Sequence, residues 1–74
     1  MKLPACLRRA FPEARLNGNY KSFVAWDVPL GRPNQYLWID YLPSKNIWVI
    51  GGNAGETPEQ ALASYIASRL ESGQ

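Results

Sequence analysis

The sequence predicts an α+β fold, a helix followed by a three-stranded antiparallel sheet and a second helix, in one domain spanning residues 1–74. Three observations lead there. Runs from Tyr20 to Val28, from Gln35 to Leu42 and from Asn46 to Ile50 are rich in the β-branched and aromatic residues that suit a pleated surface. Segments carrying proline, glycine and asparagine separate them. On either side, apolar residues recur at the three- and four-residue spacing of a helix.

The first helix is expected from Pro4 to Phe11, with Leu3, Leu7, Ala10 and Phe11 at helical spacing and Arg8 and Arg9 turned to water. Proline suits a first helical turn because its missing N–H is not needed there. Pro12 ends the helix by clashing with the carbonyl four residues back. Two turns do not hold themselves together in water, so packing must hold this helix. Asn17-Gly18-Asn19 reads as a turn into the first strand, Pro29 to Asn34 as a loop, and Pro43-Ser44-Lys45-Asn46 as a tight turn that sets Leu42 opposite Ile47 and Tyr41 opposite Trp48. The second helix opens on Thr57, with Pro58 at its first position and Gln60 completing a Thr-x-x-Gln capping box. Glu56 and Glu59 complement the positive end of its dipole. Leu62, Tyr65, Ile66 and Leu70 form an apolar stripe with Ala61 beside it, and Gly73 stops the helix.

Alternate residues of a strand point to opposite faces. Val24, Trp26, Val28, Leu37, Ile39, Tyr41, Trp48 and Ile50 fall on one face. Phe23, Tyr36, Trp38, Leu42, Ile47 and Val49 fall on the other, broken by Lys21, Asp27 and Asp40. A half-buried antiparallel sheet normally keeps its second face polar. This one therefore needs a cover, and two arrangements are open. The first helix covers the second face and makes an α/β/α sandwich, or both helices share the first face and Tyr36 and Trp38 form a contact surface.

Composition narrows the function. The 74 residues suit one domain of marginal stability, because a chain of this size buries only about 60% of the surface its unfolded form exposes. The sequence reads as a complete, intracellular, cytoplasmic protein with no membrane association: no apolar run approaches the roughly 20 residues of a span. With no histidine and a single cysteine, Cys6, the commonest general base and the usual zinc ligand sets are missing, and no cofactor is implied. Net charge is +2, unevenly spread, with Lys2, Arg8, Arg9, Arg15 and Lys21 in the first 21 residues against Glu13 alone.

Gly51 to Thr57 is glycine-rich and leads into a helix, which suggests a phosphate cradle. A nucleotide loop ends on lysine followed by serine or threonine, whereas here Glu56 precedes Thr57, so the run reads as a tight structural connection. Asp27 and Asp40 sit on neighbouring strands of the second face, but a sheet this small offers no cleft to set their protonation apart for acid–base work. No nucleophile stands beside a base, and the chain is read as a non-enzyme.

The helix–three strands–helix order resembles the double-stranded-RNA-binding domain. That family's binding lysines open its second helix, where this chain has Glu56-Thr57-Pro58-Glu59-Gln60. Ile50-Gly51-Gly52 followed by Thr57-Pro58-Glu59-Gln60-Ala61-Leu62 is similar to the arm-type DNA-binding domains of phage integrases. Ile47-Trp48-Val49-Ile50, Thr57-Pro58 and Ala61-Leu62-Ala63 resemble small phage-encoded α/β/α sandwich proteins. That resemblance implies an accessory protein of a phage or mobile element, a class that includes anti-CRISPR inhibitors. The expected function is thus a non-enzymatic binding protein that blocks a host protein or nucleoprotein complex through Asp27, Arg32, Tyr36, Trp38 and Asp40. The alternative is a nucleic-acid-binding module using Arg8, Arg9, Arg15, Lys21 and Lys45, and a homodimer through the second face is a third possibility.

Overall fold

The computed structural model describes residues 2–71. Its elements are α1 (Ala5–Ala10), β1 (Arg15–Asn19), β2 (Val24–Pro29), β3 (Tyr36–Leu42), β4 (Ile47–Ile50), β5 (Asn53–Gly55) and α2 (Pro58–Glu71). The sheet has five strands in the order β1-β2-β3-β4-β5, every neighbouring pair antiparallel. The α+β class holds, but the three-stranded sheet does not: β1 and β5 add a strand at each edge.

Both additions have a local chemical cause. Asn17-Gly18-Asn19 lies within β1 rather than forming a turn, with the extra residue of a bulge between Leu16, opposite Trp26, and Gly18, opposite Ala25. The strand expected from Tyr20 begins only at Val24, because the Tyr20 N–H donates to the Phe23 carbonyl at 2.8 Å and closes the β1–β2 turn there. At the other edge, Gly51 and Gly52 have φ of 54° and 86°. Two consecutive positive-φ residues make the turn whose twist suits a two-residue hairpin, so β4 folds back into β5 before the helix begins. Both edges resist pairing with another strand, β1 by its bulge and β5 by its length of three residues.

The register of the three inner strands is as the sequence implies, with Leu42 opposite Ile47 and Tyr41 opposite Trp48. The Tyr41 hydroxyl donates to Asn46 Oδ1 at 2.9 Å, which fixes Asn46 at φ 52° in that turn. On the first face, Leu16, Trp26, Ile39, Ile50 and Asn53 form one row across all five strands. Ile39, Ile50 and, from α1, Leu7 are fully buried, and the Trp26 and Trp48 rings stack at 5.8 Å. Leu3 and Leu7 from the α1 region and Ala61 from α2 complete this core. Phe11 meets Tyr65 edge-on at 6.1 Å and ties the helices together. Both helices therefore cover the first face, giving two layers rather than an α/β/α sandwich.

The helix ends obey their capping chemistry with one change. The Gln60 N–H donates to Thr57 Oγ1 at 3.1 Å, but the Gln60 side chain accepts from the Glu56 N–H, one residue earlier than a standard box. The buried line of α2 runs through Ala61, with Leu62 and Tyr65 half-buried, while Ile66 and Leu70 of the anticipated stripe are exposed. Gly55 explains the rotation. A Cβ there would overlap the Ala61 backbone nitrogen and lie 2.8 Å from its Cα, so glycine lets the helix axis close down on β5 at Ala61. Gly73, read as the stop of this helix, lies outside the described residues.

Gly55→Ala should consequently lower stability by about 1–3 kcal/mol, since backbone rather than a flexible side chain opposes the methyl group. Gly31→Ala is the comparison: its φ is 83° with nothing within 4 Å of an added Cβ, so only the left-handed backbone penalty of about 1–2 kcal/mol applies. Urea unfolding measures both losses.

Candidate functional site: the open sheet face

Among the described residues, no helix lies on the second face. Its residues pair across strands as Arg15–Asp27–Trp38, as Gly18–Ala25–Asp40–Val49–Ala54, as Pro29–Tyr36 and as Leu42–Ile47. Trp38 is 55% exposed and Tyr36 42%, although both stand in the central strand of the sheet. The row through Asp40 is otherwise made of small residues, and larger side chains flank it. A carboxylate at its centre therefore lies low in the surface.

The two carboxylates of this face have different surroundings. Asn17, at the β1 bulge, donates its side-chain N–H to both oxygens of Asp27 at 3.0 and 3.1 Å. Asp40 has no comparable support: its Oδ1 is buried without a hydrogen-bond partner. Burial, and after it the negative charge of Asp27, raises the Asp40 carboxyl above its ordinary value. A depression of ≈ 350 Å³ opens beside it, lined by Ser22, Phe23, Asp40, Leu42 and Ser44. Ser22 comes from the β1–β2 turn and Ser44 from the β3–β4 turn, and the meander places both turns at the same end of the sheet.

Of the residues singled out from the sequence, Asp27, Trp38 and Asp40 come together in the middle of this face, with Tyr36 two positions from Trp38 along β3. Arg32 sits in the β2–β3 loop beyond Tyr36, at the opposite end from Ser22 and Ser44. The cations do not gather. Arg8 and Arg9 are in the last turn of α1, Arg15 starts β1, and Lys21 and Lys45 occupy the two turns at the far end. Arg8 also borders a cleft of ≈ 380 Å³ between α1 and β1, with Leu16 and Trp26 in its wall. Asn17, Ser22, Phe23 and Ser44 belong to the site and were not anticipated as site residues. The alternation of the strands places Phe23 on this face, whereas Asn17, Ser22 and Ser44 depend on a bulge and on which turns meet.

Cys6 is half-buried between the helices. Burial and the neighbouring Glu59 carboxylate raise its thiol above the ordinary value, against smaller opposing effects of the Leu7 backbone and Arg9. The thiol form is favoured, which is the opposite of an activated nucleophile. No described helix is long and apolar enough to cross a membrane.

No protein-family model, curated protein or solved structure matches the chain.

The state of Asp40 gives a stability test. Its folded value lies above the unfolded one, so the native state holds the proton more tightly. Stability therefore falls as pH rises from the ordinary value of 3.8 through the raised one, and the deficit persists at neutral pH. Asp27 on β2 is the charge that acts on it, while Ala25 on β2 and Val49 on β4, its cross-strand partners, are neutral. Asp40→Asn should raise stability at pH 7 by up to about 1 kcal/mol, limited by solvent screening at the exposed side of the carboxylate. The gain should disappear in urea titrations at pH 3.

Proposed function

We propose that this chain is a non-enzymatic binding protein that docks on another protein with the open face of its sheet. The observation that carries the reading is the exposure of Trp38 in the middle of that face and of Tyr36 two positions along the same strand, where the described residues supply no helical cover. Aromatic residues are enriched in protein interfaces, and tryptophan and tyrosine dominate their energetics. Asp27 and Asp40 beside them select a partner surface that is apolar with cations among the contacts. The narrower form of the reading, an inhibitor encoded by a phage or mobile element that occupies a host protein or nucleoprotein complex in the cytoplasm, rests on the resemblance of residues 47–63 alone.

Direct nucleic-acid binding is less well supported. A duplex or single strand needs cations along a continuous track, and here they are divided among α1, one edge strand and two turns. The open face itself is centred on carboxylates, which repel phosphate.

The test is capture from the native host's lysate across a salt series, with nuclease, comparing wild type, Trp38→Ala and the pair Arg8→Glu plus Arg9→Glu. Trp38→Ala should reduce capture at least tenfold, the effect of removing about 1.4 kcal/mol from an anchor residue. Its stability should fall by about 1 kcal/mol, since the ring is 55% exposed but alanine is a poorer strand former, and the variant should remain folded. Capture that survives Trp38→Ala, is lost with the arginine changes and collapses with salt would replace this reading with nucleic-acid binding.

A further inference from the structure

We propose that the depression beside Asp40 receives an arginine side chain of the protein partner, an assignment that rests on the open face being the docking surface. The depression has the size, the wall chemistry and the charge for that side chain. Its ≈ 350 Å³ is walled by Phe23 and Leu42, carries the hydroxyls of Ser22 and Ser44, and takes its charge from Asp40.

Asp40 Oδ1 is buried and unpartnered, while its neighbour Asp27 is satisfied by Asn17. Asp40 presents its carboxylate to the depression, with Oδ1 itself closed off from solvent, and a partly buried carboxylate favours a cation that brings hydrogen-bond donors to its open side. An anionic ligand meets the Asp40 carboxylate and is repelled. An apolar side chain fills the volume but leaves the Asp40 carboxylate unpaired. A cation with an apolar stem answers both requirements. Between the two candidates, arginine fits better: its planar guanidinium stacks on an aromatic ring such as Phe23, and its five donors reach a carboxylate and a hydroxyl together. Lysine brings three donors at one point. The chain's own Lys21 and Lys45 adjoin Ser22 and Ser44 in sequence, yet both side chains are exposed and the oxygen remains without a partner. The Tyr20 ring, 4.7 Å from that of Phe23, backs the aromatic wall.

The experiment is a titration of the ¹⁵N-labelled protein with acetyl-Gly-Arg-Gly-amide and with its lysine and norleucine counterparts, monitored by amide shifts. The arginine peptide should give saturable shifts at Ser22, Phe23, Asp40, Leu42 and Ser44, at least tenfold tighter than the norleucine peptide. Asp40→Asn should abolish them while keeping an otherwise native spectrum and, at pH 7, gaining stability. Equal binding of the norleucine peptide, shifts scattered over the surface, or retained binding in Asp40→Asn would overturn the site. Equal binding of the lysine peptide would overturn the choice of arginine. Trp38→Ala lies outside the pocket lining and should bind the peptide normally. A failed titration therefore leaves Trp38-dependent capture standing, and a failed capture leaves the titration standing.

Discussion

The amount of helix available to this chain sets everything else. α1 and α2 have 6 and 14 residues, which at 1.5 Å per residue are rods about 9 and 21 Å long. Five strands spaced at about 4.8 Å span about 19 Å between the outer two. One long helix and one short one thus cover a single face of such a sheet and no more. The rows through Trp26, Ile39 and Ile50 and through Val24, Tyr41 and Trp48 take both helices. Gly55 lets α2 descend far enough for Ala61 to seal that side. The second face is left to solvent because no further described element remains to cover it. Its tryptophan and tyrosine are exposed as a direct consequence of that shortage.

A face left open in this way normally fills with polar residues, since nothing in folding favours burying apolar ones there. Here Trp38, Tyr36, Leu42, Ile47 and Val49 depart from that pattern, and Asp40 departs from the opposite one. It is a carboxylate sunk among Ala25, Val49, Ala54 and Gly18 with one oxygen unmet. Both departures work against the stability of the isolated domain, and on the proposed reading a surface with apolar contacts and a cation answers both. Local features that conflict with folding tend to mark functional positions. The shared remedy makes it economical to assign them to a single contact.

Legibility in the sequence depends on where burial enforces a pattern. β2, β3 and β4 bury a full face, so their alternation is strict, and the pairings of Leu42 with Ile47 and Tyr41 with Trp48 can be read directly. β1 and β5 are edge strands whose side chains carry little of the core. Arg15-Leu16-Asn17-Gly18-Asn19 therefore shows no alternation, and its asparagines and glycine suggest a turn. Gly51-Gly52 signals a turn but not the β5 strand beyond it, because three residues have no period to detect. The same limit applies to the site. Asp27, Tyr36, Trp38 and Asp40 are visible from spacing alone. Ser22 and Ser44 are not, because their proximity exists only once a five-strand meander has placed two distant turns at one end.

The charge layout of the open face also bears on whether its natural cover is a second copy of the chain. A two-fold contact is self-complementary, so an axis through the middle of the face sets Asp27 and Asp40 of one molecule against those of the other. Four carboxylates would then share a space with little water, at a cost that aromatic stacking of Trp38 must exceed. Shifting the axis toward the β2–β3 loop brings Arg15 and Arg32 nearer the carboxylates and keeps Tyr36 and Trp38 close to it, whereas a shift toward Lys21 and Lys45 moves away from both aromatics. A central axis thus stacks the aromatic residues but not the acidic ones. A different protein bears no such symmetry constraint and can present apolar area to Trp38 and Tyr36 while extending a cation toward Asp40. The acidic centre of this face thus argues against a two-fold axis through its middle.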